Sequence, residues 1–244
     1  MENTAIAIQQ EGSEYRIELA RPDCGNLITM GMIAGLSDAL RRVPAEAKLV
    51  VIAGRGADFC KGRDYQAAPE NARQGGAPSA REIIDEMTTP VIEAYTAIRE
   101  SPLPTLAIVQ GAAYGFGCAL ACACDIVLAA EGSRFRFPEM NRGLPPTLAM
   151  HAIMDRVNAR AVSYLVYSTA EIDARTALTM GLVSAVFPDA DLERHAQALA
   201  GTVCGHPLDA LKTVKAFLKH APLMEMGGRA NFASSLFANA LSSR

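Results

Sequence analysis

The sequence has no tryptophan, and its 244 residues include four histidines and 6% aromatics. It also lacks a charge excess. Lys and Arg number 23 against 26 Asp and Glu, a formal net charge of -3, and no basic stripe marks a nucleic-acid footprint. Nucleic acid is therefore not an expected partner. No run approaches the roughly 18 consecutive apolar residues of a membrane span. The opening MENTAIAIQQEGSEYRIEL carries acids where a secretory leader would carry positive charge. These absences predict a cytoplasmic protein with no membrane partner. His151, His195, His206 and His220 are scattered, with no serine or cysteine motif beside them, which disfavours a hydrolytic triad.

Six cysteines are present: Cys24, Cys60, Cys118, Cys122, Cys124 and Cys204. In a chain without secretory features they do not suggest a disulfide framework. Cys118, Cys122 and Cys124 sit in an alanine-rich apolar stretch with no histidine nearby, so packing thiols are expected rather than a metal site.

Half of the residues are hydrophobic, enough for a substantial core. Alternation around EGSE predicts an opening hairpin, and a helix is expected over 29–42. KLVVIAG, SPLPTLAIVQG and CDIVLAA are short continuous apolar runs of the kind that form buried parallel strands, with LVSAVF as a later strand. A Gly/Pro-rich loop is expected from Tyr65 to Ser79. Further helices are expected over 80–99, bent near Pro90, and over 148–167, 174–180, 192–203 and 208–219. The composition past Pro222 is also helical. Strand and helix patterns alternate without a linker, which predicts an α/β fold with parallel pairing.

Two glycine turns follow buried strands: GRGADFCKGRDY after KLVVIAG, and GAAYGFG after LAIVQ. Such turns let backbone N–H groups face a ligand, and a helix starting there adds the positive end of its dipole. Two of them side by side could form an oxyanion hole. Neither has the lysine and Ser/Thr of a phosphate loop or the glycine spacing of a dinucleotide motif.

The order of these features resembles the crotonase (enoyl-CoA hydratase/isomerase) family. The matching segments are RPDCGNLIT, FCKGRDY, QGAAYGFGCALACACDI, RFRFPEMNRGLPP, ARTALTMGLVSAVFP and HPLDALKTVKAFL, collinear from about residue 6 to 218. The resemblance implies a crotonase-like spiral of ββα units over 1–190. A C-terminal helical segment over 191–244 would then serve a homotrimer or a pair of trimers. It also implies an acyl-CoA thioester as substrate, with coenzyme A part of that substrate and no separate cofactor or metal.

By the same resemblance, the backbone N–H groups of Arg63 and Phe116 form the oxyanion hole. Glu139 matches one of the family's two acidic positions, and Ala119 occupies the position of the other. Cys24, Lys61, Gly62, Asp64, Tyr65, Gly115, Gly117, Pro138 and Lys215 are the matching substrate-binding positions. Lys215 is read as either a CoA-phosphate contact or an ordinary exposed helix residue. Asp23 stands where relatives often carry a basic residue. Thr147 and Leu148 replace small residues, which implies a narrowed or reshaped acyl pocket, and the chain stops at Ser243 and Arg244, short of the usual tail, which implies a more open pocket or a different trimer cap.

One acid suffices to move a double bond, because one base can take a proton at C2 and return it at C4. The resemblance therefore implies 3-enoyl-CoA to 2-enoyl-CoA isomerisation by Glu139, its pKa raised by Phe135, Phe137 and Met140. The alternatives are hydration by a water held between Glu139 and an unrecognised partner, decarboxylation or hydrolysis, or acyl-CoA binding without turnover.

Overall fold

The structure, a computed structural model, describes residues 5–65 and 78–242. Strands β1 (Ile6–Glu11) and β2 (Glu14–Leu19) form the expected hairpin, with Ile8 opposite Ile17. Strands β3 (Leu49–Gly54), β4 (Thr105–Val109), β6 (Ile126–Ala130) and β9 (Ala185–Phe187) extend it in the order β1-β2-β3-β4-β6-β9. All pairs after the hairpin are parallel. β3 and β4 are buried along their whole length, which explains why they read as continuous apolar runs.

The short strands β5 (Ala112–Tyr114), β7 (Arg134–Arg136) and β8 (Ile172–Asp173) form a second, three-stranded sheet. It carries the second glycine turn and the approach to Glu139.

Helix α1 (Met30–Arg41) is capped by Thr29, whose side chain accepts from the Met32 N–H. It buries Met32, Ile33 and Leu36 on the sheet. Residues 66–77, which hold most of the expected Tyr65–Ser79 loop, lie outside the described residues. A capping box, in which Ser79 and Glu82 exchange hydrogen bonds, starts α2 (Ala80–Glu82).

The helix expected over 80–99 is interrupted just before Pro90. A π-helical segment, Ile83–Thr88, precedes α3 (Thr89–Glu100), with the Thr89 N–H bonded to the Ile84 carbonyl five residues back. Pro90 has no N–H to offer and its ring crowds the carbonyl four residues earlier, so the wider π turn accommodates it upstream.

Helix α4 (Phe116–Ala123) is wholly buried. The single helix expected over 148–167 is two: α5 (Thr147–Ile153) and α6 (Ala159–Ser168), the latter capped by Asn158 accepting from the Ala161 N–H. Asn158 prefers the cap geometry over continuing the helix. α7 (Ala174–Met180) ends on Gly181 at φ 83°.

Helix α8 (Leu192–Cys204) falls inside the expected C-terminal segment, yet it packs Leu192, Ala196 and Ala200 with Leu49, Val51, Leu106 and Leu128 on the sheet. α9 (Leu208–His220) buries only Lys215, and α10 (Met226–Ser242) buries no residue. α10 leans on α9, with Phe217 and Phe232 stacked at 6.0 Å. No helix among the described residues is long and apolar enough to cross a membrane.

Candidate active site

The two glycine turns are tied together by a parallel bridge between Cys60 and Ala113. The Cys60 N–H donates to the Ala112 carbonyl at 3.0 Å, and the Tyr114 N–H donates to the Cys60 carbonyl at 2.9 Å. Arg63 and Phe116 each lie three residues past a member of that bridge, so the two turns present them in parallel. Asn26, fully buried, holds the first turn by donating to the carbonyls of Arg55 and Asp58. Asp58 joins the turns by accepting from the Ala112 N–H at 2.9 Å.

Arg63 is bracketed by hydrogen bonds from the Ile28 N–H to the Gly62 carbonyl and from the Asp64 N–H to the Ile28 carbonyl. Its own N–H faces away from that pairing. Phe116 opens α4, where the first N–H groups of a helix have no intrahelical acceptor. Neither N–H has a protein acceptor among the described residues, and both residues line one cleft of about 360 Å³.

Glu139 lines the same cleft, from a 3-10 turn, Glu139–Arg142, that closes on Gly143 at φ 69°. Its Oε2 is buried and has no hydrogen-bond partner among the described residues. Nor does Glu139 form an ion pair among them: Arg136 donates instead to the Thr169 carbonyl at 2.8 Å, and Arg142 points to the Tyr65 ring at 5.2 Å. Burial raises the Glu139 pKa above the ordinary value of 4.5; its own backbone N–H and the Arg142 charge oppose the rise. The apolar surroundings differ from those expected. Phe135 and Phe137 are core residues and Met140 is exposed, and none of them lines the cleft, whose apolar wall includes Val91, Tyr95, Phe116 and Leu148.

Gly115 explains the close approach of the acid. Its backbone sits at φ 50°, ψ -114°, and a Cβ there would lie 2.6 Å from Glu139 Oε1. Gly117 is a packing residue: a Cβ would run into the Cys60 carbonyl of the other turn. Ala119 is fully buried, and Glu139 is the one carboxylate among the described residues that line the cleft.

Lys61, Gly62, Tyr65 and Pro138 also line the cleft, with Lys61 paired to Asp58 at 2.7 Å. The Arg63 guanidinium stands 5.3 Å from the Tyr65 ring, so Tyr65 carries two arginines at the mouth. Three expected contacts lie elsewhere. Cys24 and Asp23 border a separate groove beside Thr29 and Met32. Asp64 pairs with Arg21 at 3.0 Å. Lys215 is 5% exposed, does not line the cleft and places Nζ 2.5 Å from Asp125 Oδ2, so neither reading as an exposed helix lysine nor as a cleft contact fits this fold. Burial would raise the Asp125 pKa, but Lys215, Thr105 and Arg156 outweigh it and hold the carboxyl below the usual range.

With this geometry in hand, the family model described as enoyl-CoA hydratase/isomerase matches residues 9–243. The chain belongs to the enoyl-CoA hydratase/isomerase family. A Rhodobacter capsulatus relative named "Probable enoyl-CoA hydratase" is 34% identical over 201 residues, 82% of this chain and 75% of that one. The rat "Enoyl-CoA hydratase domain-containing protein 3, mitochondrial" is 30% identical, covering 88% and 70%. A Marinobacter aquaeolei enoyl-CoA hydratase/isomerase superposes with a TM-score of 0.89 at 26% identity, covering 98% of this chain and 91% of that one. A Thermobifida fusca family member solved in complex with CoA gives 0.89 at 25% identity, covering 98% and 94%.

For an enzyme of the enoyl-CoA hydratase/isomerase family, the motif residues place the turns and Glu139. They do not reveal the π segment and α3 wall, where Ile83, Met87, Val91 and Tyr95 face the cleft. The Val91, Ala94, Tyr95 and Ile98 spacing was the available signal, a buried helix face carrying one hydroxyl.

Proposed function

We propose that the protein isomerises 3-enoyl-CoA to 2-enoyl-CoA thioesters, with Glu139 as the single acid/base. The observation that carries this reading is that, among the described residues, Glu139 is the one carboxylate lining a cleft in which the Arg63 and Phe116 N–H groups also have no partner. Glu139 takes the C2 proton, and the C2–H electron pair moves toward the carbonyl, leaving negative charge on the thioester oxygen. The Arg63 and Phe116 N–H groups receive that charge. Donors of this kind are worth about 3 to 4 kcal/mol each. The pair then returns to form C2=C3, the C3=C4 electrons take a proton at C4, and Glu139 supplies it. Burial makes the carboxylate a stronger base than an exposed glutamate.

Lys61, Arg63 and Arg142 at the mouth offer positive charge for the phosphates of the CoA portion. The exposed apolar side chains Leu218, Leu223 and Phe237 of the C-terminal helical region support a homotrimer or a pair of trimers.

The test follows the conjugated-thioester absorbance with a 3-enoyl-CoA and a 2-enoyl-CoA, for wild type and Glu139→Gln. Conversion of the 3-enoyl substrate by wild type alone supports isomerisation. Binding without any absorbance change in wild type refutes it. A second reading, hydration, is favoured by one observation: Tyr95 lines the cleft with Glu139, and its hydroxyl has no protein partner among the described residues.

A further inference from the structure

Tyr95 heads the fully buried side chains by size and is 1% exposed, yet it borders the cleft. The hydroxyls of Tyr15 and Tyr114 donate to the Ala39 carbonyl at 3.2 Å and to Glu171 at 2.6 Å. The Tyr95 hydroxyl has no protein partner among the described residues. A buried tyrosine O–H ordinarily finds one, because leaving it unpaired is costly.

Its position is fixed from two sides. Helix α3 buries Val91, Ala94, Tyr95 and Ile98 as one face. The Tyr95 ring lies tilted on Phe116, centroids 5.1 Å apart, next to a proposed oxyanion donor. The phenol is held in its neutral form by burial first, then by the nearby Cys60 and Glu139. Tyr95 and Glu139 thus bring to one cleft two polar atoms without partners among the described residues: Glu139 Oε2, which is enclosed, and the Tyr95 hydroxyl.

Their chemistries are complementary to one kind of group. An ionised carboxylate only accepts, and a neutral phenol lining the same cleft has a proton to donate. An O–H group satisfies both at once, accepting from tyrosine and donating to the carboxylate.

We propose that Tyr95 is a second substrate-facing residue, and that Tyr95 and Glu139 together hold one O–H group at the reacting end of the acyl chain. That oxygen belongs either to a 3-hydroxyacyl thioester or to a water beside C3 of a 2-enoyl thioester. Tyr95 thereby supplies a polar partner in a cleft where Ala119 offers no carboxylate. This inference rests on the acyl-CoA reading and names the substrate chemistry within it.

The experiment measures calorimetric affinity of wild type and Tyr95→Phe for butyryl-CoA and 3-hydroxybutyryl-CoA. Wild type is expected to prefer the hydroxylated ester by about five- to ten-fold, the scale of one neutral hydrogen bond. Tyr95→Phe should bind butyryl-CoA within about two-fold of wild type, lose the preference and melt no lower, because the lost hydroxyl had no protein partner. Preference retained in Tyr95→Phe, or absent from wild type, overturns the proposal. If neither ester binds wild type, the acyl-CoA reading itself falls and takes this inference with it. Incubation with a 2-enoyl thioester in 18O-water separates the two oxygen sources. Label entering at C3, slowed about ten-fold in Tyr95→Phe, identifies water as an occupant. A hydroxyl preference without label identifies the acyl hydroxyl alone.

Discussion

Gly115→Ala is the sharpest perturbation of the site, because it adds one methyl group 2.6 Å from Glu139 Oε1. That atom is the end of a flexible side chain, so it will move rather than the backbone. Ordinary contact begins near 3.4 Å, and the difference from 2.6 Å requires a shift of roughly 0.8 Å in the carboxylate. A misplacement of about 1 Å can cost on the order of 100-fold in rate. The backbone adds strain: φ 50° with ψ -114° is glycine territory, and forcing alanine into such a region costs about 1 to 3 kcal/mol. At about 2 to 4 °C per kcal/mol for a chain of this size, the melting temperature should fall by roughly 2 to 12 °C. The assay pairs thermal melting with initial rates of 3-enoyl-CoA conversion. The expected result is a folded variant with kcat/KM down about 100-fold. A folded Gly115→Ala with wild-type rates would refute the placement of Glu139 over this turn.

Glu139 sets the pH behaviour. Activity needs its ionised form, so kcat/KM should fall as pH drops through a value above the ordinary 4.5, and Glu139→Gln should abolish the reaction while keeping thioester affinity. The same raised pKa makes its contribution to stability fully present below 4.5 and lost as pH rises through the folded value. Glu139→Gln should therefore melt at or above wild type at pH 7, with the advantage shrinking toward pH 4.5; a lower melting temperature at pH 7 contradicts this. Lys215→Ala removes one of two cations from the half-buried Asp125 carboxylate, which keeps Arg156 at 3.3 Å and Thr105, and should cost about 1.5 to 3 kcal/mol in denaturant unfolding, with little change in thioester KM; a raised KM at unchanged stability would return Lys215 to a CoA-contact role. Phe237→Asp, at a 67%-exposed position on α10, should lower the mass seen by light scattering without lowering the monomer's helix content; an unchanged mass removes that helix from the assembly.

The parts of this protein that could be read from sequence are those whose information is local. β3, β4 and β6 are apolar because both faces are covered, and Gly115 is glycine because no side chain fits its backbone and the acid beside it. Collinear motifs carried Arg63, Phe116 and Glu139 into one place. What stayed hidden depends on contacts between distant residues. β5 and β7 are three residues long and pair only because the turns bring them together, so no period could announce them. The break between α5 and α6 turns on the Asn158 cap, a contest between two acceptable local states. Lys215 looks like a surface lysine until Asp125, 90 residues earlier, is placed against it. Tyr95 is the extreme case, because its significance is the absence of a partner. A sequence can advertise a tyrosine on an apolar helix face, but only the assembled cleft shows that it shares a wall with Glu139 and that its hydroxyl has no partner among the described residues. The reaction is least legible for the same reason. Ala119 is buried where the resemblance implies a second acid, and α3, a helix outside the matching motifs, brings Tyr95 into the cleft that Glu139 lines.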